Sequence, residues 1–133
     1  MYRESEAPPF IITAFNDHVV ALDFSTGRRA WQVDLPVRRC IVEEERVLVA
    51  STDRVTALDY RSGERLWETE CGVSPSHIVT LLVARSRIFA SFGGEIAALD
   101  HDGKLLFRNG LEGTGYGAAT LALPGLVAHA DYN

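Results

Sequence analysis

A chain of 133 residues suits a single domain with a sizeable core. Hydrophobic residues at 47% and charged residues at 23% place it with globular rather than disordered or membrane-spanning proteins. The formal net charge of −5 argues against a nucleic-acid partner gripped through its phosphates, and no stretch approaches the roughly 18 uninterrupted apolar residues of a membrane helix, so neither nucleic acid nor membrane is an expected partner.

Residues 1–9 read M-Y-R-E-S-E-A-P-P, of mixed charge and without an apolar segment. They are expected to form a flexible tail ahead of a repeat domain over 10–133, and with no export signal the expected compartment is the cytoplasm. The first apolar run, Phe10 to Phe15, is rich in β-branched and aromatic residues and predicts a strand. HVVALDFSTGRRAW follows from His18 and reads as strand, turn, strand. CIVEE from Cys40 and RVLVAS from Arg46 then lead into RVTALDYRSGERLW from Arg54. HIVTLLVA from His77 and RIFASF from Arg87 lead in the same way into EIAALDHDGKLLF from Glu95. Two further short runs, near Ala118 to Leu123 and Leu126 to Ala130, end the series. None shows sustained helical periodicity with caps, so an all-β fold is expected.

The runs repeat. Ala-Leu-Asp recurs at Ala21-Leu22-Asp23, Ala57-Leu58-Asp59 and Ala98-Leu99-Asp100. A glycine follows at Gly27, Gly63 and Gly103, and four residues later comes Trp31, Trp67 or Phe107. Four strands per unit at a period of about 40 residues is the signature of propeller blades. Three four-stranded antiparallel repeats and a surplus C-terminal strand are therefore predicted. Asp23, Asp59 and Asp100 open the turns, where a carboxylate accepts backbone N–H bonds from the residues that follow, and the glycine supplies the positive φ that closes a hairpin. The third repeat shortens this turn by one residue, so its geometry is expected to differ.

The pattern A-L-D-x-x-(x)-G-x-x-x-W, which accounts for the chain from Phe10 onward, resembles the repeat of pyrroloquinoline-quinone-type, or quinoprotein-dehydrogenase-like, β-propellers. That resemblance implies that the glycine-to-tryptophan segment docks adjacent blades, which assigns Gly27 with Trp31 and Gly63 with Trp67 to docking. Gly103 and Phe107 extend the set, although Phe107 departs from the indole. Enzymes of this type have a vicinal cysteine pair over a quinone and an ion held by carboxylate and amide side chains. Here Cys40 and Cys71 are far apart and outside any CxxC, and both are expected to be reduced thiols. No cofactor, no metal and no catalysis is expected. Other relatives resemble noncatalytic interaction scaffolds, such as an outer-membrane assembly lipoprotein.

The loop Gly113-Thr114-Gly115-Tyr116-Gly117 lacks the lysine and helix of a phosphate cradle and reads as an interblade connection, with Tyr116 a possible ligand contact. His18, His77, His101 and His129 do not cluster as zinc ligands do, His129 with Asp131 being the nearest approach. Glu43 to Glu45 read as a solvated hairpin tip, and Arg28-Arg29 and Arg38-Arg39 as exposed strand ends. Three blades leave an arc with bare ends, which two copies closing head to tail into a six-bladed ring would cover. The rival expectation is that another chain carries the missing blades. The function expected is a noncatalytic scaffold presenting a ring face to a protein partner. The alternatives are a binder of a small ligand, a quinone or sugar, and a fragment of a quinoprotein dehydrogenase.

Overall fold

The computed structural model describes residues 8–130, and among them there is no helix. Thirteen strands form sheets in chain order, every neighbouring pair antiparallel. The first sheet holds β1 (Phe10–Phe15), β2 (His18–Asp23) and β3 (Arg29–Asp34). The second holds β4 (Arg39–Glu43), β5 (Arg46–Ala50), β6 (Arg54–Asp59) and β7 (Arg65–Glu70). The third holds β8 (Val79–Ala84), β9 (Arg87–Phe92), β10 (Glu95–Leu99) and β11 (Leu105–Asn109). A hairpin of β12 (Thr120–Leu123) and β13 (Leu126–His129) packs beside β8. Most of the predicted tail lies outside the described residues. Within them, the Pro9 carbonyl accepts the Phe24 N–H at 2.9 Å.

Local sequence explains the short connections. Asn16 and Asp17, and again Arg85 and Ser86, hold positive φ at both positions of two-residue hairpins, the turn geometry whose twist matches the flanking strands. Each Ala-Leu-Asp marks one register shift, between Ala21 and Leu22, Ala57 and Leu58, and Ala98 and Leu99. The shift delivers the aspartate into the turn. In the first two repeats the glycine N–H returns to the aspartate carbonyl four residues back, at 2.9 Å for Gly27 and 2.8 Å for Gly63. In the shortened third turn Gly103 bonds Asp100 three residues back, at 3.1 Å, so the turn type differs as its length requires.

The three sheets lie face to face as successive blades, with one apolar layer between each pair. All of β5 is buried because both faces of its sheet are covered, and strand alternation sorts its side chains between the two neighbours. Val47 and Val49 pack with Val19, Ile12 and Trp31 of the first sheet. Leu48 and Ala50 pack with Leu81, Ile88 and Ala90 of the third. Each buried valine or leucine contributes about 1.5–3 kcal/mol to holding the stack.

Candidate functional site

The repeated aromatic and glycine positions meet across blades. Trp31, on the outermost strand of the first sheet, leans over the β6–β7 turn of the second, and its indole Nε1–H donates to the Tyr60 carbonyl at 2.9 Å. The ring occupies the space a side chain at Gly63 would need, since a Cβ there would lie 2.7 Å from Cδ2 and Cε3 of Trp31. Trp67 lies on Gly103 in the same way, at 2.5 Å from such an atom. Beside it the Thr69 hydroxyl donates to the Gly103 carbonyl at 2.5 Å. Each glycine holds positive φ as well, +78° at Gly63 and +86° at Gly103.

Pairing therefore runs from the indole of one repeat to the glycine of the next. The glycine-to-tryptophan segments thus lie between adjacent blades, and the structure adds which glycine each indole meets: the outermost strand is the part of a blade that overhangs its neighbour, so its aromatic reaches forward. At the two ends of the series the halves stand alone. A Cβ at Gly27 would meet nothing within 4 Å among the described residues, and Phe107 is 45% exposed.

Other ties cross the same boundaries. The Tyr60 hydroxyl donates to the Phe10 carbonyl at 2.6 Å, with the two rings edge to face at 5.7 Å. The buried Arg46 donates through Nη1 to the His101 carbonyl. Arg38 and Arg39, read from sequence as exposed strand ends, differ in the structure: Arg38 is exposed and Arg39, at the start of β4, is half-buried. Both also reach toward the third blade, Arg38 Nε donating to the His77 carbonyl at 3.0 Å and Arg39 Nε to the Val79 carbonyl at 2.9 Å. Sequence offered no signal for these contacts, because an arginine that ties a neighbouring strand and one that faces water have the same composition and spacing.

The turn carboxylates are engaged locally. Asp23 Oδ1 accepts the Ser25 and Thr26 N–H groups, both at 2.9 Å, and the Thr26 N–H leads the set of bonds that hold this carboxyl below its ordinary value of 3.8. Asp59 Oδ2 accepts the Ser62 N–H and hydroxyl, both at 2.9 Å. Asp100 Oδ1 accepts the Asp102 and Lys104 N–H groups at 2.9 Å each. Burial pushes the Cys40 and Cys71 thiols up to about 11, which leaves almost no thiolate near neutrality. Cys40 lies on β4 and Cys71 just past β7, not side by side.

Tyr116 lies across Gly93, occupying the place a side chain there would take. Its hydroxyl pairs with Ser76 Oγ at 2.9 Å while 70% of the residue stays exposed. The Gly117 N–H to Gly93 carbonyl bond, 2.9 Å, fastens the loop beside it. His18 bonds Asp34 at 2.7 Å and His129 bonds Thr120 at 3.1 Å; Asp131 lies outside the described residues. Among the described residues no three His, Cys, Asp or Glu side chains converge as metal ligands would.

A family model described as outer membrane protein assembly factor BamB matches residues 9–125. No curated protein sequence matches the chain. Among solved structures, the chain is similar to BamB from Moraxella catarrhalis, at 22% identity and a TM-score of 0.66 over 88% of this chain and 38% of that one. It is similar also to AztD from Citrobacter koseri, at 16% identity and a TM-score of 0.64 over 87% of this chain and 39% of that one. A quinohemoprotein alcohol dehydrogenase from Pseudomonas putida HK5 shares 20% identity and a TM-score of 0.62 over 89% of this chain and 20% of that one. The chain thus spans at most 39% of the length of these three. At such identities the likeness is one of fold, that of PQQ-like β-propeller blades.

Proposed function

The chain belongs to the family described as outer membrane protein assembly factor BamB, and on that premise we propose that it is a noncatalytic propeller scaffold that presents one face of its blades to a protein partner. The observation that carries this reading is how the chemically capable residues are used. The turn carboxylates are bound to backbone N–H groups, the indoles lie on neighbouring turns, and the thiols stay protonated. The ten-residue connection between β11 and β12 is fastened to the third blade through Tyr116 and Gly117 yet leaves Leu111 and most of Tyr116 exposed. Loops held by a stiff framework suit recognition.

A quinone of the alcohol dehydrogenase kind does not fit these residues. Two separated thiols cannot form a vicinal pair, and each repeated carboxylate is committed through one oxygen to its own turn, a full blade from the next. The blade set is completed, in this proposal, by a second copy joined head to tail in a six-bladed ring. The sheets of three, four, four and two strands among the described residues are part of a propeller, and their edges call for further strands, from a second copy or from blades on another polypeptide.

A photoreactive residue in place of Leu111, in the protein expressed in its own cells, should give one discrete crosslinked protein adduct that Tyr116→Ser weakens. Dye reduction dependent on alcohol, quinone and calcium would overturn the noncatalytic reading. A second reading, a small-ligand binder, draws on the open ring of Tyr116. A sugar that raised the unfolding temperature of the protein but not of its Tyr116→Ser variant would favour it.

A further inference from the structure

We infer that Tyr116 is the positioning residue of the β11–β12 connection, clasped to the turn between β9 and β10 so that the connection is ordered before a partner arrives. This rests on the recognition role proposed for that connection and names what holds it. The repeat register carries the argument. Asn16, Thr52 and Gly93 hold the same place in the turns of the hairpins β1–β2, β5–β6 and β9–β10. The Thr52 carbonyl accepts the Ser76 N–H and the Gly93 carbonyl the Gly117 N–H, both at 2.9 Å, so the residues just before, Pro75 and Tyr116, are counterparts too. Glycine takes the turn position in the one repeat where an aromatic arrives above it.

Gly93 is buried, and a Cβ on it would lie 2.7 Å from Cδ2 of the Tyr116 ring, nearer still to Cε2, and 3.0 Å from Ser76 Oγ. Its own N–H donates to the Ile78 carbonyl at 2.8 Å. The Tyr116 hydroxyl pairs at 2.9 Å with Ser76 Oγ, which accepts the Ile78 N–H at 3.0 Å. One glycine and one tyrosine thus join the connection that enters the third blade to the one that leaves it. The clasp has a free-energy reason. Gly113, Gly115 and Gly117 give the connection more freedom to lose on ordering than other residues would, and a segment ordered in advance loses less when it binds. The first half closes on itself, through the Thr114 N–H and hydroxyl on the Leu111 carbonyl at 3.2 and 2.6 Å. Gly115 follows, with no described atom within 4 Å of the place a side chain would take, and the hold then passes to the Tyr116 ring and the Gly117 N–H.

Hydrogen exchange of the full chain reads the clasp without any partner. Tyr116→Phe keeps the ring and removes the hydroxyl, and should speed exchange of the Gly117 amide about threefold to tenfold, the worth of one hydrogen bond. Tyr116→Ser should speed it further, while amides of β5 hold their rates. Unchanged Gly117 exchange, or equal acceleration in β5, overturns the clasp. The positioning role is read by the crosslink from position 111. Gly93→Ala displaces the ring from a buried site out of a partner's reach, and should weaken the adduct as Tyr116→Ser does, with Tyr116→Phe weakening it less. An adduct that Tyr116→Ser weakens and Gly93→Ala does not would make the ring itself the contact and overturn the positioning role. No adduct at all, with the exchange pattern as expected, would sink the recognition reading and the positioning role with it, while the clasp stands.

Discussion

Alanine at Gly63 probes the internal joint with a built-in control. The residue holds φ +78°, where an L side chain costs about 1–2 kcal/mol. The new methyl would also lie 2.7 Å from the Trp31 ring, and overpacking of this kind costs about 1–3 kcal/mol more. Gly27→Ala carries the backbone cost alone, because its φ is +75° and no described atom lies within 4 Å of the added carbon. The two substitutions therefore differ by the steric cost at the joint, about 1–3 kcal/mol. Urea unfolding reads it. With a slope of about 1–3 kcal/mol per molar, the midpoints should differ by about 1 M. Gly103→Ala, 2.5 Å from Trp67, should fall with Gly63→Ala. Equal midpoints for Gly27→Ala and Gly63→Ala would refute the claim that an aromatic wedge on a side-chain-free turn locks the blades.

Trp31→Phe keeps a ring but removes the indole donor to Tyr60 and should cost about 1–3 kcal/mol by the same measurement. Arg39→Met keeps the stem and loses the bond to the Val79 carbonyl, an expected loss of about 1–3 kcal/mol; an unchanged midpoint would return Arg39 to the solvent. The Asp23 carboxyl, held below 3.8, takes up its proton at lower pH in the folded than in the unfolded chain. Its contribution is thus present above the unfolded value and lost as pH falls through the folded one. A carbon-13 titration with its midpoint at or above 3.8 would contradict this. Cys40 and Cys71, at about 11 against an ordinary 9.0, carry about a hundredfold less thiolate than a free thiol. Iodoacetamide at pH 8 should label them correspondingly slowly until denaturant is added.

The blades were legible because each repeat writes its turn in residues with one physical use. Asp23, Gly27 and Trp31 recur at fixed spacing since a carboxylate must meet nearby N–H groups, a glycine must take positive φ, and an outer strand must present a wedge. Strand number and order followed from β-branched runs cut by two-residue turns such as Asn16-Asp17. The direction of docking was not legible. Spacing along the chain pairs Trp31 with Gly27, and only the stacking of sheets places it on Gly63. The arginine ties escaped for a related reason: Arg38 and Arg39 find their carbonyls about 40 residues ahead, and a backbone acceptor leaves no mark on sequence. Tyr116 was singled out by its glycine-rich setting, but its seat on Gly93 and its bond to Ser76 come from a turn in another part of the blade.

The forward-reaching wedge has a consequence for size. A unit with a key on one flank and a lock on the other can be followed by any number of copies, and nothing in a single contact counts them. The circumference must then be set by small angular increments summed around the axis. Lengthening or shortening such a protein by whole units leaves every remaining contact intact, so gene duplication or loss can change the circle without redesigning its hinges.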